Sequence, residues 1–197
     1  MPNADPPVVA FPSREAWWAW LSEHHGDQDG VWLRLERKRP GAAPLTHPEA
    51  LEAAIAHGWI DGTRKRLDER HYLQRFTPRR ARSKWSKINR DKAMELIERG
   101  HMAPAGLAEV ERAKADGRWD AAYAGQRTIG VPEDLRAELA RAPAAAEAFA
   151  GLDSRNRYAI LYRIGDAKRP ETRARRIEKF VRMLKNGETV YPPPGTG

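Results

Sequence analysis

Apolar positions along this 197-residue chain recur with two different periods, and the change of period divides it. Trp17, Trp20, Leu21 and His24 fall at helical spacing behind Ser13, a residue type that caps helices, which predicts a helix from about 13 to 25. From Val31 to Arg37 the period drops to two. Val31, Leu33 and Leu35 alternate with Trp32, Arg34 and Glu36, as in a strand. The stretch Pro40 to Pro44 reads as a loop. Thr46 with Glu49 three residues later is a capping-box signature, and the helix it opens carries Leu51, Ala54 and Ile55 inward and stops near Gly58. Gly58-Trp59-Ile60-Asp61-Gly62 predicts a short strand, paired with His71 to Phe76 across a turn at Asp68-Glu69.

Beyond Pro78 the helical period takes over. Ser86 caps a predicted helix that runs to about Arg99 and is stopped by Gly100. Pro104 opens the next, which runs to Gly117, and Pro132, Pro143 and Ser154 each begin another. In the helix from Ser154, Tyr158, Leu161 and Tyr162 share a face. The last helix runs from Pro170 to about Asn186 with Ala174, Ile177, Val181 and Leu184 inward. Strands followed by helices predict an α+β fold. The expected layout is a small N-terminal three-stranded antiparallel sheet with two helices (residues 11–85), packed on a C-terminal helical layer (86–187), with flexible tails at 1–10 and 188–197.

Composition fits a folded core, at 41% hydrophobic residues with seven tryptophans. The absence of cysteine excludes disulfides, thiolate metal sites and cysteine nucleophiles. The six histidines show no metal-ligand spacing, so neither a metal nor a cofactor is expected. No stretch approaches the roughly 20 apolar residues of a membrane span, and no basic-then-apolar leader opens the sequence, which makes the cytoplasm the expected location.

Charge changes the picture more. The net charge is +8, but it is concentrated. Residues 62–92 hold twelve Lys/Arg against three acids, residues 163–185 hold nine against three, and the rest of the chain is net acidic. Such concentration predicts an anionic partner. The densest chemistry runs from Phe76 to Arg90. Pro78 imposes an extended approach, Ser86 opens a helix, and helix N-termini hold anions on free N–H groups. Arg79, Arg80 and Arg82 offer fork-shaped donors for phosphate or carboxylate, Lys84 adds charge, Ser83 and Ser86 add hydroxyls, Asn89 follows one turn on, and Trp85 is placed to stack on a base or sugar. The alternative is that Ser86 is only a cap, Trp85 a core anchor and the arginines a solvated face.

Asp61 is the second candidate. Alternation places it beside Trp59, where a buried carboxylate needs a partner such as Lys65 or an arginine of the next segment; unpaired in a cleft it would act as a general acid or base. Trp59 and Trp85, each at a junction between layers, are expected to be buried and close together. The basic last helix, with Arg173, Arg175, Arg176, Lys179, Arg182 and Lys185, reads as the wet side of an amphipathic helix.

Three motifs then carry a resemblance: Gly58-Trp59-Ile60-Asp61-Gly62; Phe76-Thr77-Pro78-Arg79-Arg80 with Ser83, Trp85-Ser86 and Asn89; and Ala167-Lys168-Arg169-Pro170-Glu171-Thr172-Arg173 with Arg175-Arg176-Ile177. Together with Trp17-Trp18-Ala19-Trp20-Leu21 and Gly30-Val31-Trp32-Leu33, they make the chain resemble the YdeI/OmpD-associated, or bacteriocin-protection, family over nearly its whole length. The resemblance implies a role in resistance to bacteriocins and cationic antimicrobial peptides and a link to an outer-membrane porin; it carries over no catalytic residue. A protein of charge +8 repels a cationic peptide at long range, so the protection it implies is indirect. The expected function is a non-catalytic stress or resistance factor that binds a phosphate-bearing metabolite or nucleic acid through residues 76–90, with an acidic protein as another possible partner. The rival is an enzyme acting on a small phosphorylated or carboxylated substrate, with Asp61 as acid/base and Arg79 and Arg80 as anchor.

Overall fold

The structure, a computed structural model, describes residues 5–37 and 45–192; the loop expected at Pro40 to Pro44 lies outside the described residues. The chain forms two compact units, Met1–Ala122 and Tyr123–Gly197.

In the first unit, β1 (Val8–Val9) precedes α1 (Arg14–His24), β2 (Val31–Glu36), α2 (His47–Ala56), β3 (Trp59–Arg66), β4 (His71–Pro78), α3 (Lys87–Glu98) and α4 (Pro104–Ala115). The mixed α/β class is as expected, but the sheet has four strands in the order β1-β2-β4-β3, not three. The additional strand comes from the segment read as a tail. Val8 and Val9 lie parallel to Trp32 and Leu33, and the Trp32 N–H donates to the Pro7 carbonyl at 2.9 Å. Two residues behind two prolines are too short to show a period, so only an open edge on β2 could recruit them. The other pairings are antiparallel.

The caps form as the sequence predicts. Ser13 accepts from the Ala16 N–H, and the Thr46–Glu49 capping box is complete. Asp68 Oδ1 accepts from the Arg70 and His71 N–H groups at 2.7 Å each, which fixes the β3–β4 turn. The strands run further than predicted because the cations beyond Gly62 find aromatic support. The Arg64 guanidinium lies 3.6 Å from the Tyr72 ring centroid, and Lys65 Nζ lies 4.4 Å from that of Trp32. Trp32 is therefore buried even though it faces away from Val31, Leu33 and Leu35.

Trp17, Leu21, Leu33, Ile55, Trp59, Phe76 and Trp85 are core residues of this unit. Its buried indoles reach carbonyls where they can: Trp17 Nε1 donates to Ala50 and Trp59 Nε1 to His25, both at 3.1 Å. Gly106 lets α4 approach α2 backbone to backbone, since a Cβ there would sit 2.2 Å from the Ala56 carbonyl oxygen.

The second unit holds α5 (Glu133–Ala140), α6 (Pro143–Ala150), α7 (Ser154–Gly165) and α8 (Pro170–Lys185). Leu135, Phe149, Ile160, Ile164, Ile177, Phe180 and Leu184 form its core. Asp153, one residue before the expected Ser154, caps α7 by accepting from the Asn156 N–H. The sequence reading grouped residues 86–187; α3 and α4 lie within the first unit, and the units divide between Ala122 and Tyr123.

Candidate functional site

The basic segment begins where β4 ends. The Arg79 N–H donates to the Gly58 carbonyl at 2.9 Å, joining the start of the segment to the glycine before β3. The Arg79 side chain then turns inward and is only 5% exposed. Its guanidinium carbon lies 3.5 Å from the Trp85 ring centroid, and its Nη1 donates to the Lys84 carbonyl at 3.2 Å. Trp85, 1% exposed, packs edge-on against Trp119 at 5.0 Å. Arg79 and Trp85 thus form a buried stack beneath the segment.

Above that stack, residues 80–83 make a tight turn. The Ser83 N–H donates to the Arg80 carbonyl at 2.8 Å, and the Arg80 N–H donates to Ser83 Oγ at 2.9 Å. Arg118 braces the turn from outside, donating Nη1 to the Ser83 carbonyl at 2.7 Å, and its guanidinium holds the Asp116 carboxyl below the usual carboxylate range. Ser86 caps α3 by accepting from the Asn89 N–H at 3.1 Å, and Asn89 is buried. Arg80, Arg82, Lys84 and Lys87 are exposed. Among the described residues no ion pair engages Arg80, Arg82 or Lys87, and no acidic residue occurs from Arg70 to Arg90.

The candidates therefore separate. Arg80, Arg82 and Lys84 are exposed, the hydroxyls of Ser83 and Ser86 accept from the Arg80 and Asn89 N–H groups, and Arg79, Trp85 and Asn89 are buried. Trp59 is equally buried, and its ring meets Trp17 and Trp20 edge-on at 6.5 and 6.0 Å. Trp59 and Trp85 belong to one core cluster, each with its own aromatic neighbours. Asp61 is half-buried and pairs with His47 Nε2 at 3.2 Å, not with Lys65 or an arginine. The reason is the β-bulge between Asp61 and Arg64. Asp61 lies opposite Phe76 on the core side, where the first turn of α2 brings His47, whereas Lys65 lies opposite Leu73 and covers Trp32.

The sequence reading missed Arg112 and Arg118, whose guanidiniums reach the carbonyls of Arg79 and Ser83 from 33 and 35 residues away. No local pattern announces such contacts. Among the described residues no group of three or more His, Asp or Glu side chains is placed to hold a metal, and no helix is long and apolar enough to cross a membrane.

Structure and site together define a two-unit α+β protein that carries a cationic turn at a helix N-terminus. Residues 9–109, half of the chain, match the family model described as "Domain of unknown function (DUF8412)", and the chain belongs to that family. Residues 128–187 match the family model described as "Bacteriocin-protection, YdeI or OmpD-Associated". The motif at 167–177 falls within this second match; the motifs at 58–62 and 76–90 fall within the first. No curated protein and no solved structure matches the chain.

Proposed function

We propose that this protein is a non-catalytic resistance factor that holds a phosphate-bearing ligand on the turn between β4 and α3. The match over residues 128–187 suggests the bacteriocin-protection role, and the turn supplies the chemistry. The observation that carries the reading is the set of exposed cations Arg80, Arg82 and Lys87, without an ion pair among the described residues, at the start of a helix in a stretch free of carboxylates. Helix N-termini leave backbone N–H groups without intrahelical acceptors; Ser86 Oγ takes up that of Asn89, and an anion would be met by the others of the first turn. Arg79 and Trp85 keep the turn in place from below rather than touching the ligand. Asp61 serves the fold through His47 in this account and runs no reaction. The ligand is cytoplasmic, where phosphate-bearing metabolites and nucleic acid are concentrated, and an acidic protein would meet the same surface.

Titration with a single-stranded oligonucleotide at increasing salt separates the ligand classes. Nucleic acid gives a log–log slope set by the number of phosphates neutralised. Alanine at Arg80 and Arg82 flattens that slope if the turn is the contact. Binding to inorganic phosphate with none to the oligonucleotide assigns the turn to a small metabolite. Absence of both ends the anion-binding reading.

A further inference from the structure

The second unit contains a cavity that the proposed function does not use. Tyr158 and Tyr162 stand one turn apart on α7 with ring centroids 5.7 Å apart, and Tyr123 meets Tyr162 edge-on at 5.2 Å. The other wall is Tyr191, from the segment read as a frayed tail. Its N–H donates to Asn156 Oδ1 at 2.8 Å, and its carbonyl accepts from Asn156 Nδ2 at 3.2 Å. Asn156 is only 2% exposed and its amide also donates to the capping carboxylate of Asp153, so the clip that holds Tyr191 is built into the start of α7. The guanidinium carbon of Arg155 lies 4.1 Å from the Tyr191 ring centroid and that of Arg163 lies 5.9 Å away. Tyr158, Tyr162, Tyr191, Arg155, Arg163 and Gln126 line a cavity of about 290 Å³ with no carboxylate in its wall. Both arginines are exposed and have no ion pair among the described residues.

We propose that this cavity binds a flat aromatic ring carrying a phosphate, with a nucleoside monophosphate as the representative ligand. The tyrosines give faces and edges for the ring, Gln126 offers an amide for its polar edge, and the two guanidiniums match phosphate oxygens as forks. Burial raises the Tyr158 phenol above its ordinary value, so the hydroxyl stays a neutral donor. The volume lies at the lower end of the range for small-ligand sites and suits one ring with its sugar phosphate.

The test is calorimetric titration of the full chain with adenosine 5′-monophosphate, adenosine and ribose 5-phosphate. The monophosphate should bind at least tenfold more tightly than either fragment. Arg155→Glu with Arg163→Glu, both on exposed side chains, should bring it down to the level of adenosine. Tyr158→Ala should bring it down to the level of ribose 5-phosphate. Repeating the three titrations with the Arg80→Ala, Arg82→Ala double variant removes the turn after β4 as a second phosphate site, and the preference for the monophosphate over both fragments should persist. Equal binding of adenosine 5′-monophosphate and ribose 5-phosphate by the unaltered chain would reduce the cavity to a surface cation pair and overturn the proposal. So would full retention in the double glutamate variant, or no binding at millimolar ligand.

Discussion

Arg173, in the first turn of α8, forks onto both carboxylate oxygens of Asp134 in α5 at 2.5 and 2.9 Å and gives a third N–H to the Ile164 carbonyl at 3.1 Å. Nearby, Arg176 donates to the Arg163 carbonyl, and Ile177 is buried in the core of its unit. Among the described residues, Arg80 and Arg82, in an equally basic stretch of the first unit, have no carboxylate or carbonyl to hold them. Two arginine-rich motifs that look alike in sequence therefore do different work. The one at α8 closes helices on one another; the one after β4 leaves Arg80 and Arg82 in solvent. What separates them is the acid on the neighbouring element: α5 brings Asp134 to α8, and no described residue brings a carboxylate to Arg80. Within the second motif the same contrast recurs, because Arg79 is taken into the core by Trp85 while its neighbour is not.

That contrast predicts a graded loss of stability. Arg79→Ala removes a desolvated cation–π stack and its packing and should cost about 2–3 kcal/mol in chemical denaturation. Arg80→Ala should change stability by no more than about 0.5 kcal/mol. Equal losses would mean that Arg80 is as structural as Arg79 and would erase the distinction.

Arg173→Ala should come next, at about 1 kcal/mol, since a forked charge-assisted pair is lost but Asp134 is partly solvated and screened. Its effect should disappear in acid. The side-chain hydrogen bond from Arg173 holds the Asp134 carboxyl below its ordinary range. The stabilisation is therefore complete above about pH 3.9 and is lost as pH falls through the lower folded value. An Arg173→Ala penalty that stays constant down to pH 2 would contradict the clamp.

The first unit should respond to acid earlier. His57 is 3% exposed, donates Nδ1–H to the Ala53 carbonyl at 2.8 Å and faces the Ser22 hydroxyl through Nε2 at 3.0 Å. Burial holds its imidazole below the ordinary value. The unfolded chain therefore takes up this proton first. Stability is complete above about pH 6.5 and declines as pH falls from there through the folded value. Melting temperatures recorded from pH 8 to 5 should fall below about pH 6.5, and His57→Gln should flatten the curve. A wild-type profile that does not change over this range would place the imidazole in solvent.

Much of the fold is legible in the sequence. The capping residues Ser13, Thr46 and Ser86, the stop at Gly100 and the stripe along α8 are local signals that local physics honours. β1 is not legible, because a two-residue strand has no period and depends on the edge of β2. The boundary after Ala122 is not legible either, because a helix pattern does not say which core it joins. The candidate site was half readable. A run of cations without acids is visible in the letters, and so is a serine that can cap. That Arg79 points inward while Arg80 points outward depends on Trp85 and Trp119 meeting beneath the turn, and on Arg112 and Arg118 arriving from far along the chain. The partner of Asp61 was hidden for a similar reason: a β-bulge reverses which residues beyond it share its face.

In this account the cations after β4 hold an anion and are not merely a wet surface. Thermal unfolding in rising concentrations of inorganic phosphate tests it at matched ionic strength. The unaltered chain should be stabilised, by roughly 2.7 kcal/mol once phosphate reaches a hundredfold excess over Kd. The Arg80→Ala, Arg82→Ala double variant should lose most of the phosphate-dependent rise while melting at the same temperature as the unaltered chain in its absence. If both proteins respond identically to phosphate, the turn holds no anion and the account of this region fails.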